Sequence, residues 1–193
     1  KPVPGWHIQL HDDEGNEVPQ GEIGRIAISL NPRPAGLIRE YLDNPEENAA
    51  MFVNGWYYTG DKARMDEDGY FWFQGRDDDI IKSSGYRISP AEVESALMTH
   101  PCVKESAVVG SPDPIRGVIV KAFICLKDGW TGSDDLIREL QTHVKSTTAP
   151  YKYPRAIEFV EELPKTISGK VRRVELRDRE IQRYKEQNEH QDE

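Results

Sequence analysis

The run from Val118 to Leu126 is the sequence feature that most constrains the fold. It is apolar at nearly every position, and a strand that is apolar on both faces must be covered on both faces inside a sheet. A second strand is expected at about Glu105 to Val109 and a short third one at about Ile157 to Val160. Because helical patterns separate these strands, the sequence predicts an α+β fold with helices packed on a short sheet.

Two helices can be placed beside this sheet. Residues 89–92, Ser-Pro-Ala-Glu, have the form of a capping box with proline at the first helical position. An apolar stripe follows, and His100-Pro101 is expected to end the helix. Ser133 is expected to open a second helix. The apolar stripes of the two helices consist of Val93, Ala96, Leu97, Leu136, Leu140 and Val144.

The first 75 residues instead predict strands. Ile8 and Leu10 alternate with polar residues, and residues 25–30 form a second candidate strand. Residues 66–69, Asp-Glu-Asp-Gly, predict a hairpin turn, because a calcium loop would need alternating ligands and a distal glutamate that are missing here. We expect Trp56, Trp72 and Phe73 to be core aromatics, and the charged C-terminal end to fray beyond Tyr184.

Charge and composition exclude several functions. The 193 residues carry 25 basic and 34 acidic side chains, a net charge of −9, which argues against general binding to nucleic acid or to anionic membranes. No apolar run reaches the roughly 20 residues that span a bilayer. The five histidines lack the spacing of a metal site and are expected at the surface or at helix ends. Cys102 and Cys125 suggest neither a metal knuckle nor a disulfide framework, which favours a reducing compartment.

The basic residues are concentrated in the second part of the chain. Residues 1–75 hold 6 basic and 13 acidic side chains, whereas residues 138–173 hold 8 basic and 4 acidic ones. Such a local excess suits a ligand that bears phosphates, although an ordinary solvated surface accounts for the count equally well.

The segment Tyr57-Tyr58-Thr59-Gly60-Asp61 places one carboxylate just after a glycine. A lone carboxylate at the end of a strand can accept two hydrogen bonds from a ribose diol. On these residues alone, a plain turn at the end of a strand is the stronger interpretation.

Residues 75–87, GRDDDIIKSSGYR, lie where the composition changes. Three consecutive acids after an arginine indicate an exposed connection between domains, which is where hinges are commonly found. Gly85 would leave bare backbone beside polar donors, so that a narrow ligand could pass.

Residues 164–170, PKTISGK, have only a superficial similarity to the sequence of a phosphate-binding P-loop. Pro164 stands where that motif has glycine, and Val171 replaces the Ser or Thr that holds magnesium. What is left is Lys170 on a flexible loop, where its ammonium group can act as a mobile point charge for phosphate oxygens.

Taken together and in this order, the three segments resemble the C-terminal motifs of the adenylate-forming superfamily. Residues 75–88 and 149–155 are most similar to medium-chain acyl-CoA synthetases. The resemblance implies that a carboxylic acid attacks the α-phosphate of ATP to give acyl-AMP, after which the thiol of coenzyme A displaces AMP. It implies that Asp61 binds the ribose hydroxyls, that Arg76 also lies at the nucleotide, and that Lys170 is catalytic, bridging the acid and the α-phosphate. The implied cofactors are ATP/AMP, coenzyme A and Mg²⁺ accompanying ATP.

The same resemblance assigns a hinge and a surface for coenzyme A. Asp78 falls at the hinge, about which the C-terminal domain would rotate between the two steps. The loop around Gly85 would then line the pantetheine tunnel. The residues implied to bind coenzyme A are Ser84, Gly85, Tyr86, Arg87, Arg116, Lys145 and Tyr153.

The resemblance also predicts the domain organisation. Residues 1–76 are expected to be the β-barrel end of a larger N-terminal AMP-binding domain, and residues 78–193 a small α+β lid domain. The phosphate loop and acyl pocket of such enzymes belong to the missing N-terminal part, so this chain alone is expected to be unable to make acyl-AMP. Two alternatives remain open, an adenylation domain that loads a carrier protein and a non-catalytic module. The cytoplasm and the mitochondrial matrix suit the chain equally well.

Overall fold

A computed structural model describes residues 1–189 of the chain. The backbone divides into two compact units, residues 1–78 and the residues from Asp79 onward, which we call unit 1 and unit 2. Within the described residues, no helix has both the length and the apolar character needed to cross a membrane.

Unit 1 is built on an antiparallel sheet of five strands. These are β1 (Ile8–His11), β2 (Ile23–Ser29), β3 (Phe52–Val53), β4 (Trp56–Met65) and β5 (Phe71–Arg76). The order is β1-β2-β4-β3, and β5 pairs with β4. One short helix, α1 (Pro45–Met51), begins after Asn44, whose side chain accepts the capping hydrogen bond from the Glu47 amide. The strands expected in this region are confirmed, whereas α1 was not foreseen.

The turn between β4 and β5 is organised by Asp66. Its carboxylate accepts hydrogen bonds from the amides of Asp68 and Tyr70 and from the indole nitrogen of Trp72. The turn interpretation is therefore confirmed. The core assignment of the aromatics that follow is wrong, because Trp72 is 54% exposed and Phe73 is 61% exposed. Hydrophobicity alone does not tell which face of an outer strand is covered.

Unit 2 contains a three-stranded sheet and a hairpin. The sheet has the order β10-β9-β8, from β8 (Val103–Asp113), β9 (Gly117–Leu126) and β10 (Ala156–Phe159). The hairpin joins β6 (Ile81–Ser83) to β7 (Tyr86–Ile88). The helices are α2 (Pro90–Met98), α3 (Asp134–Thr147) and α4 (Arg173–Glu189), with a 3₁₀ turn at Pro150–Lys152. This mixture of helices and short strands confirms the predicted α+β class.

The predicted centre of the core is also confirmed. Strand β9 lies between β8 and β10, and six consecutive residues, from Val120 to Cys125, are buried. The apolar stripes of α2 and α3 pack against this strand in one cluster. On the other side, Leu176 of α4 packs with Phe123 and Leu163. Both faces of β9 are thus covered, as its apolar sequence requires.

Two details of unit 2 differ from expectation. Ser89 precedes α2, but its side chain makes no capping hydrogen bond to the helix, whereas Ser133 does cap α3 by accepting from the Leu136 amide. Helix α4 continues through Glu189 instead of ending near Tyr184. The Gln182 side-chain amide donates to Glu186 at 2.9 Å, and this contact across Tyr184 supports the longer helix.

The histidine prediction is wrong at His11, which is buried in strand β1. His100 follows the end of α2, as predicted, but it is buried as well. His11 is 2% exposed and His100 is 6% exposed. The ring of His11 contacts the Tyr58 hydroxyl and Gln9, and burial lowers its pKa. His100 contacts the Cys102 thiol and Glu139. A buried histidine with two polar partners has no distinctive local sequence pattern. His190 lies outside the described residues.

Candidate functional site

Asp61 and Arg76 face each other across two neighbouring strands. They are direct partners in the register of β4 and β5, and an Arg76 guanidinium nitrogen lies 3.9 Å from the Asp61 carboxylate. The sheet therefore brings together two residues that the sequence separates by a hairpin. A carboxylate acceptor and a guanidinium donor become available side by side.

Gly60 makes room for this pair. It has a φ of +79°, and a Cβ built there would come within 2.9 Å of the Arg76 guanidinium. Glycine is thus required twice, for its backbone conformation and for the close approach of a side chain. The motif places Asp61 just after Gly60, but it does not reveal that Arg76 is the side chain that lies against this glycine.

The local environment shifts the pKa values of Asp61 and Tyr57. Partial burial raises the pKa of the Asp61 carboxyl, with the nearby Arg76 charge opposing that shift and Asp78 adding to it. Burial also raises the pKa of Tyr57 to about 12, helped by a hydrogen bond to Tyr41. The Tyr57 hydroxyl consequently stays protonated at neutral pH, whereas Asp61 ionises at a higher pH than an exposed aspartate would.

The residue after Arg76 is fixed to unit 1. The carboxylate of Asp77 lies 2.7 Å from the ammonium of Lys62, which is nearly buried, and 3.4 Å from Arg25. Its amide donates to the Gly60 carbonyl. Asp78 is more exposed and lies 3.1 Å from the Arg76 guanidinium. Arg76, Asp77, Asp78 and Gly60 together line a cleft on unit 1.

In unit 2, Ser84 and Gly85 form the two-residue turn between β6 and β7. Both have positive φ, +49° and +83°, which is the conformation of the hairpin turn that matches strand twist. A Cβ on Gly85 would have nothing within 4 Å. The backbone at this turn is therefore open on the side where glycine lacks a side chain.

Aromatic and basic groups lie beyond this turn. Tyr86 stacks on Tyr151, with ring centres 4.1 Å apart. The Tyr153 ring has the Lys145 ammonium 3.9 Å from its centre and the Arg155 guanidinium at 5.1 Å. Arg116 belongs to the turn between β8 and β9, where its amide donates to Asp113. These groups offer flat faces and positive charges for an aromatic, phosphorylated ligand.

Lys170 lies on a turn that is closed by its own hydrogen bonds. The Lys170 amide donates to the Thr166 hydroxyl, and its carbonyl accepts from the Thr166 amide. Gly169 in the same turn has a φ of +83°, and Lys170 is exposed. An exposed ammonium on an ordered turn is suited to meeting an anionic ligand.

The structure groups the predicted residues by unit. Asp61, Arg76 and Asp78 lie together in unit 1, and Lys145 and Tyr153 are in contact in unit 2. Lys170 belongs to unit 2 but to a different loop from Ser84–Arg87 and from Arg116.

The prediction of a wholly exposed acidic connection is wrong at Asp79. Its side chain is only 13% exposed and contacts Arg173 and Arg177, each at 3.5 Å. Sequence reasoning missed this group because its members are about 95 residues apart. The repeated acids of residues 77–79 were the available signal, and they were interpreted only as a solvated linker.

Comparison with known proteins supports the predicted resemblance. Residues 92–170 match the family described as AMP-binding enzyme C-terminal domain. The expected resemblance to adenylate-forming enzymes is therefore confirmed.

Curated relatives agree with this assignment. The chain is 58% identical over 183 residues to acyl-coenzyme A synthetase ACSM5, mitochondrial, of Homo sapiens, covering 93% of this chain and 32% of that protein. It is 55% identical over 186 residues to 4-hydroxybutyrate--CoA ligase 1 of Metallosphaera sedula, covering 96% of this chain and 33% of that protein. The chain thus spans about a third of the length of these relatives.

The backbone of the chain is also similar to the solved structures of CoA ligases. The anthranilate CoA ligase AuaEII in complex with anthranoyl-AMP matches with a TM-score of 0.83 at 46% identity, over 93% of this chain and 34% of that one. A benzoate CoA ligase from Burkholderia xenovorans LB400 matches with a TM-score of 0.78 at 42% identity, over 92% and 34%. The described backbone is therefore similar to that of about a third of each of these ligases.

Metal binding has no support in the side chains described. Within residues 1–189, no group of three or more histidine, cysteine, aspartate or glutamate side chains is placed to hold a metal ion.

Proposed function

We propose that this chain is part of an AMP-forming acyl-CoA synthetase. In the first step a carboxylate oxygen of the acid attacks the α-phosphorus of ATP, pyrophosphate leaves, and acyl-AMP forms. In the second step the thiol of coenzyme A loses its proton and attacks the acyl carbonyl, and AMP leaves. The Asp61–Arg76 pair carries this proposal, because it supplies a diol acceptor and a phosphate donor in an AMP-binding enzyme.

The proposed roles follow from charge. The Asp61 carboxylate accepts hydrogen bonds from the two ribose hydroxyls, and Arg76 donates to the nucleotide beside it. Lys170 places its ammonium between the acid and the α-phosphate. Negative charge develops on those oxygens in the transition state, where a cation held in position lowers the barrier.

Coenzyme A would bind to unit 2. The open backbone of Gly85 suits a narrow pantetheine arm. The stacked Tyr86, the basic groups around Tyr153, and Arg116 suit an adenine ring and three phosphates. The proposed surface comprises Ser84, Gly85, Tyr86, Arg87, Arg116, Lys145 and Tyr153. Asp78 would be the hinge about which unit 2 rotates between the two steps. After this rotation, the proposed coenzyme A surface would take the place of the Lys170 loop.

The acid is proposed to be a medium-chain or an aromatic one. The names of matched structures support the aromatic class, since they include ligases for anthranilate and benzoate, whereas the medium-chain class rests on the resemblance of residues 75–88 and 149–155. The acyl pocket, the phosphate loop and the remaining nucleotide contacts would come from an N-terminal domain. The mitochondrial matrix and the cytoplasm are both retained as compartments, the former supported by a relative named as mitochondrial.

Loading of a carrier protein is the second candidate. Among the matched structures are amide bond synthetases, so acyl-AMP can have other acceptors on this scaffold. The basic groups at Arg116 and Lys145 favour free coenzyme A, because a carrier-bound pantetheine brings no adenosine phosphates. A non-catalytic module is disfavoured by the presence of Asp61, Arg76 and Lys170 together.

A substrate panel on the whole protein tests the proposal. Short, medium-chain and aromatic acids are each supplied with ATP and either coenzyme A or a carrier protein, and pyrophosphate, AMP and thioester are measured. We expect acyl-CoA from at least one class of acid, and no pyrophosphate from the 193-residue chain alone. Thioester formed only on the carrier protein would favour the second candidate. Absence of pyrophosphate with every acid would contradict both.

A further inference from the structure

The loop that carries Lys170 is held together internally. The Thr166 amide donates to the Lys170 carbonyl at 2.8 Å, and the Arg172 amide donates to the Pro164 carbonyl at 2.8 Å. Lys165 and Val171 also form a bridge. The segment from Pro164 to Arg172, which we call the lysine loop, is therefore closed by its own hydrogen bonds, and the contacts at its two ends fix its position.

Both ends of the lysine loop are anchored by ion pairs. Lys165 lies 2.7 Å from Glu105 on strand β8. Arg173, directly after the loop, makes a two-pronged contact with Glu94 of helix α2, at 2.8 and 2.6 Å. Glu94 is only 12% exposed and also accepts from the Val108 amide. A bidentate pair in partial burial holds geometry far better than an exposed pair does.

Arg173 has a second acidic partner, Asp79. A third nitrogen of its guanidinium lies 3.5 Å from the Asp79 carboxylate. Arg177, one helical turn later, approaches the other oxygen of the same carboxylate at 3.5 Å. Asp79 is the first residue of unit 2 and directly follows the proposed hinge. One guanidinium thus joins the start of unit 2, helix α2 and the base of the lysine loop.

We propose that Arg173 is a positioning residue for Lys170. Through Glu94 and Asp79 it fixes the lysine loop to the segment that leaves Asp78, so that the backbone at Asp78 sets where the Lys170 ammonium lies. Arg173 itself touches no substrate. This inference rests on the proposed function for its effect on catalysis, whereas its effect on the loop does not.

The loop is tested first, on the 193-residue chain. Arg173→Gln removes the charge and the two-pronged contact. Arg172→Gln is the matched control, since Arg172 is the adjacent arginine and pairs only with Glu175 in the exposed first turn of α4 among its described ion pairs. We expect the NMR order parameter of the Lys170 amide to fall from about 0.85 to below about 0.6 in Arg173→Gln. It should stay at the wild-type value in Arg172→Gln, and the β9 amides should stay rigid in both.

Catalysis is tested next, on the whole protein, by measuring the two half-reactions separately. Arg173→Gln should slow pyrophosphate release about tenfold or more with the KM for ATP nearly unchanged, as for a residue that acts on the transition state. Formation of acyl-CoA from supplied acyl-AMP should fall less than about threefold, since the lysine is not used there. Arg173→Lys keeps the positive charge but cannot make the two-pronged contact with Glu94. It should therefore recover part of the lost rate of pyrophosphate release.

The outcomes separate the two proposals. An unchanged Lys170 order parameter in Arg173→Gln, or loosening of β9 to the same degree, overturns the positioning role. Equal losses in the two half-reactions overturn it as well. If the wild-type protein releases no pyrophosphate with any acid, the proposed function fails, and the order parameters still decide whether Arg173 holds the loop.

Discussion

The Asp61–Arg76 corner and the lysine loop are built in contrasting ways. In the corner, two strands place the charged groups directly opposite each other, and Gly60 and Asp77 lock the surrounding backbone. In the loop, the charged group is exposed on a turn that its own hydrogen bonds close, and ion pairs anchor this turn at its base. The Asp61–Arg76 pair is therefore held by the sheet itself, whereas Lys170 is held on an exposed turn. The two-step ligation proposed above would use both kinds of construction.

Removal of the lysine ammonium should have the largest effect. Lys170→Ala in the whole protein is expected to slow pyrophosphate release about 100-fold or more, because it deletes the cation that stabilises charge on the reacting oxygens. Stopped-flow measurement of pyrophosphate checks this. Lys104→Ala, at another exposed lysine of unit 2, should leave the rate unchanged, and a comparable loss there would show that general charge is responsible.

Removal of the Asp61 carboxylate should have the second largest effect. Asp61→Asn is expected to weaken ATP binding by about 2 kcal/mol, or about 30-fold, because a charge-assisted hydrogen bond to the ribose is lost. Equilibrium titration with an ATP analogue measures it. Wild-type affinity in the variant would mean that the ribose is held elsewhere.

The same substitution has a signature in stability. Burial raises the pKa of Asp61, so its contribution to folding is fully present below the unfolded pKa and is lost as pH rises through the folded pKa. At neutral pH Asp61→Asn should accordingly be as stable as the wild type or more so, and this advantage should shrink on acidification. Thermal unfolding at several pH values checks the sign, and a less stable variant at neutral pH would reverse it.

A methyl group placed against the Arg76 guanidinium should have an intermediate effect on the use of ATP. Gly60→Ala places a methyl group against the guanidinium and is expected to lower kcat/KM for ATP about tenfold by misplacing it. Gly55→Ala is the matched control, because Gly55 has nearly the same φ, +82°, with nothing within 4 Å of the added Cβ. Both variants share the backbone strain, so only the difference between them reports on Arg76. Equal losses would assign the whole effect to strain.

The smallest effect is expected at the open turn of unit 2. Gly85→Ala should slow acyl-CoA formation from supplied acyl-AMP about fivefold, through roughly 1 kcal/mol of backbone strain and the narrowed path for pantetheine. Pyrophosphate release should not change. Gly129→Ala, at an equally open glycine with a φ of +86°, should alter neither step, and a loss of adenylation in Gly85→Ala would contradict the separation of the two regions.

Much of this arrangement could be foreseen from sequence, for identifiable reasons. The apolar run of β9 demands cover on both faces, and the stripe of α3 has helical spacing, so the core of unit 2 follows from local pattern. Asp61 and Arg76 were recognisable because each stands in a short motif. Their contact was not, since it depends on the register of β4 and β5.

The failures share a physical cause. The triangle of Arg173, Glu94 and Asp79 joins three elements distant in sequence, and no local periodicity encodes such an ion pair. Trp72 and Phe73 were misjudged because composition does not reveal which face of a strand is covered. The buried His11 and His100 side chains each contact specific polar partners in the fold. A single sequence does not show which residues will be these partners.

Lys170 is proposed to serve adenylation and not to be needed for thioester formation. This is tested by supplying the whole protein, wild type and Lys170→Ala, either with acid, ATP and coenzyme A or with prepared acyl-AMP and coenzyme A. We expect the variant to form acyl-CoA from acyl-AMP at nearly the wild-type rate and to form almost none from acid and ATP. Equal loss from both starting points, or no acyl-CoA from acyl-AMP in the wild type, would contradict it.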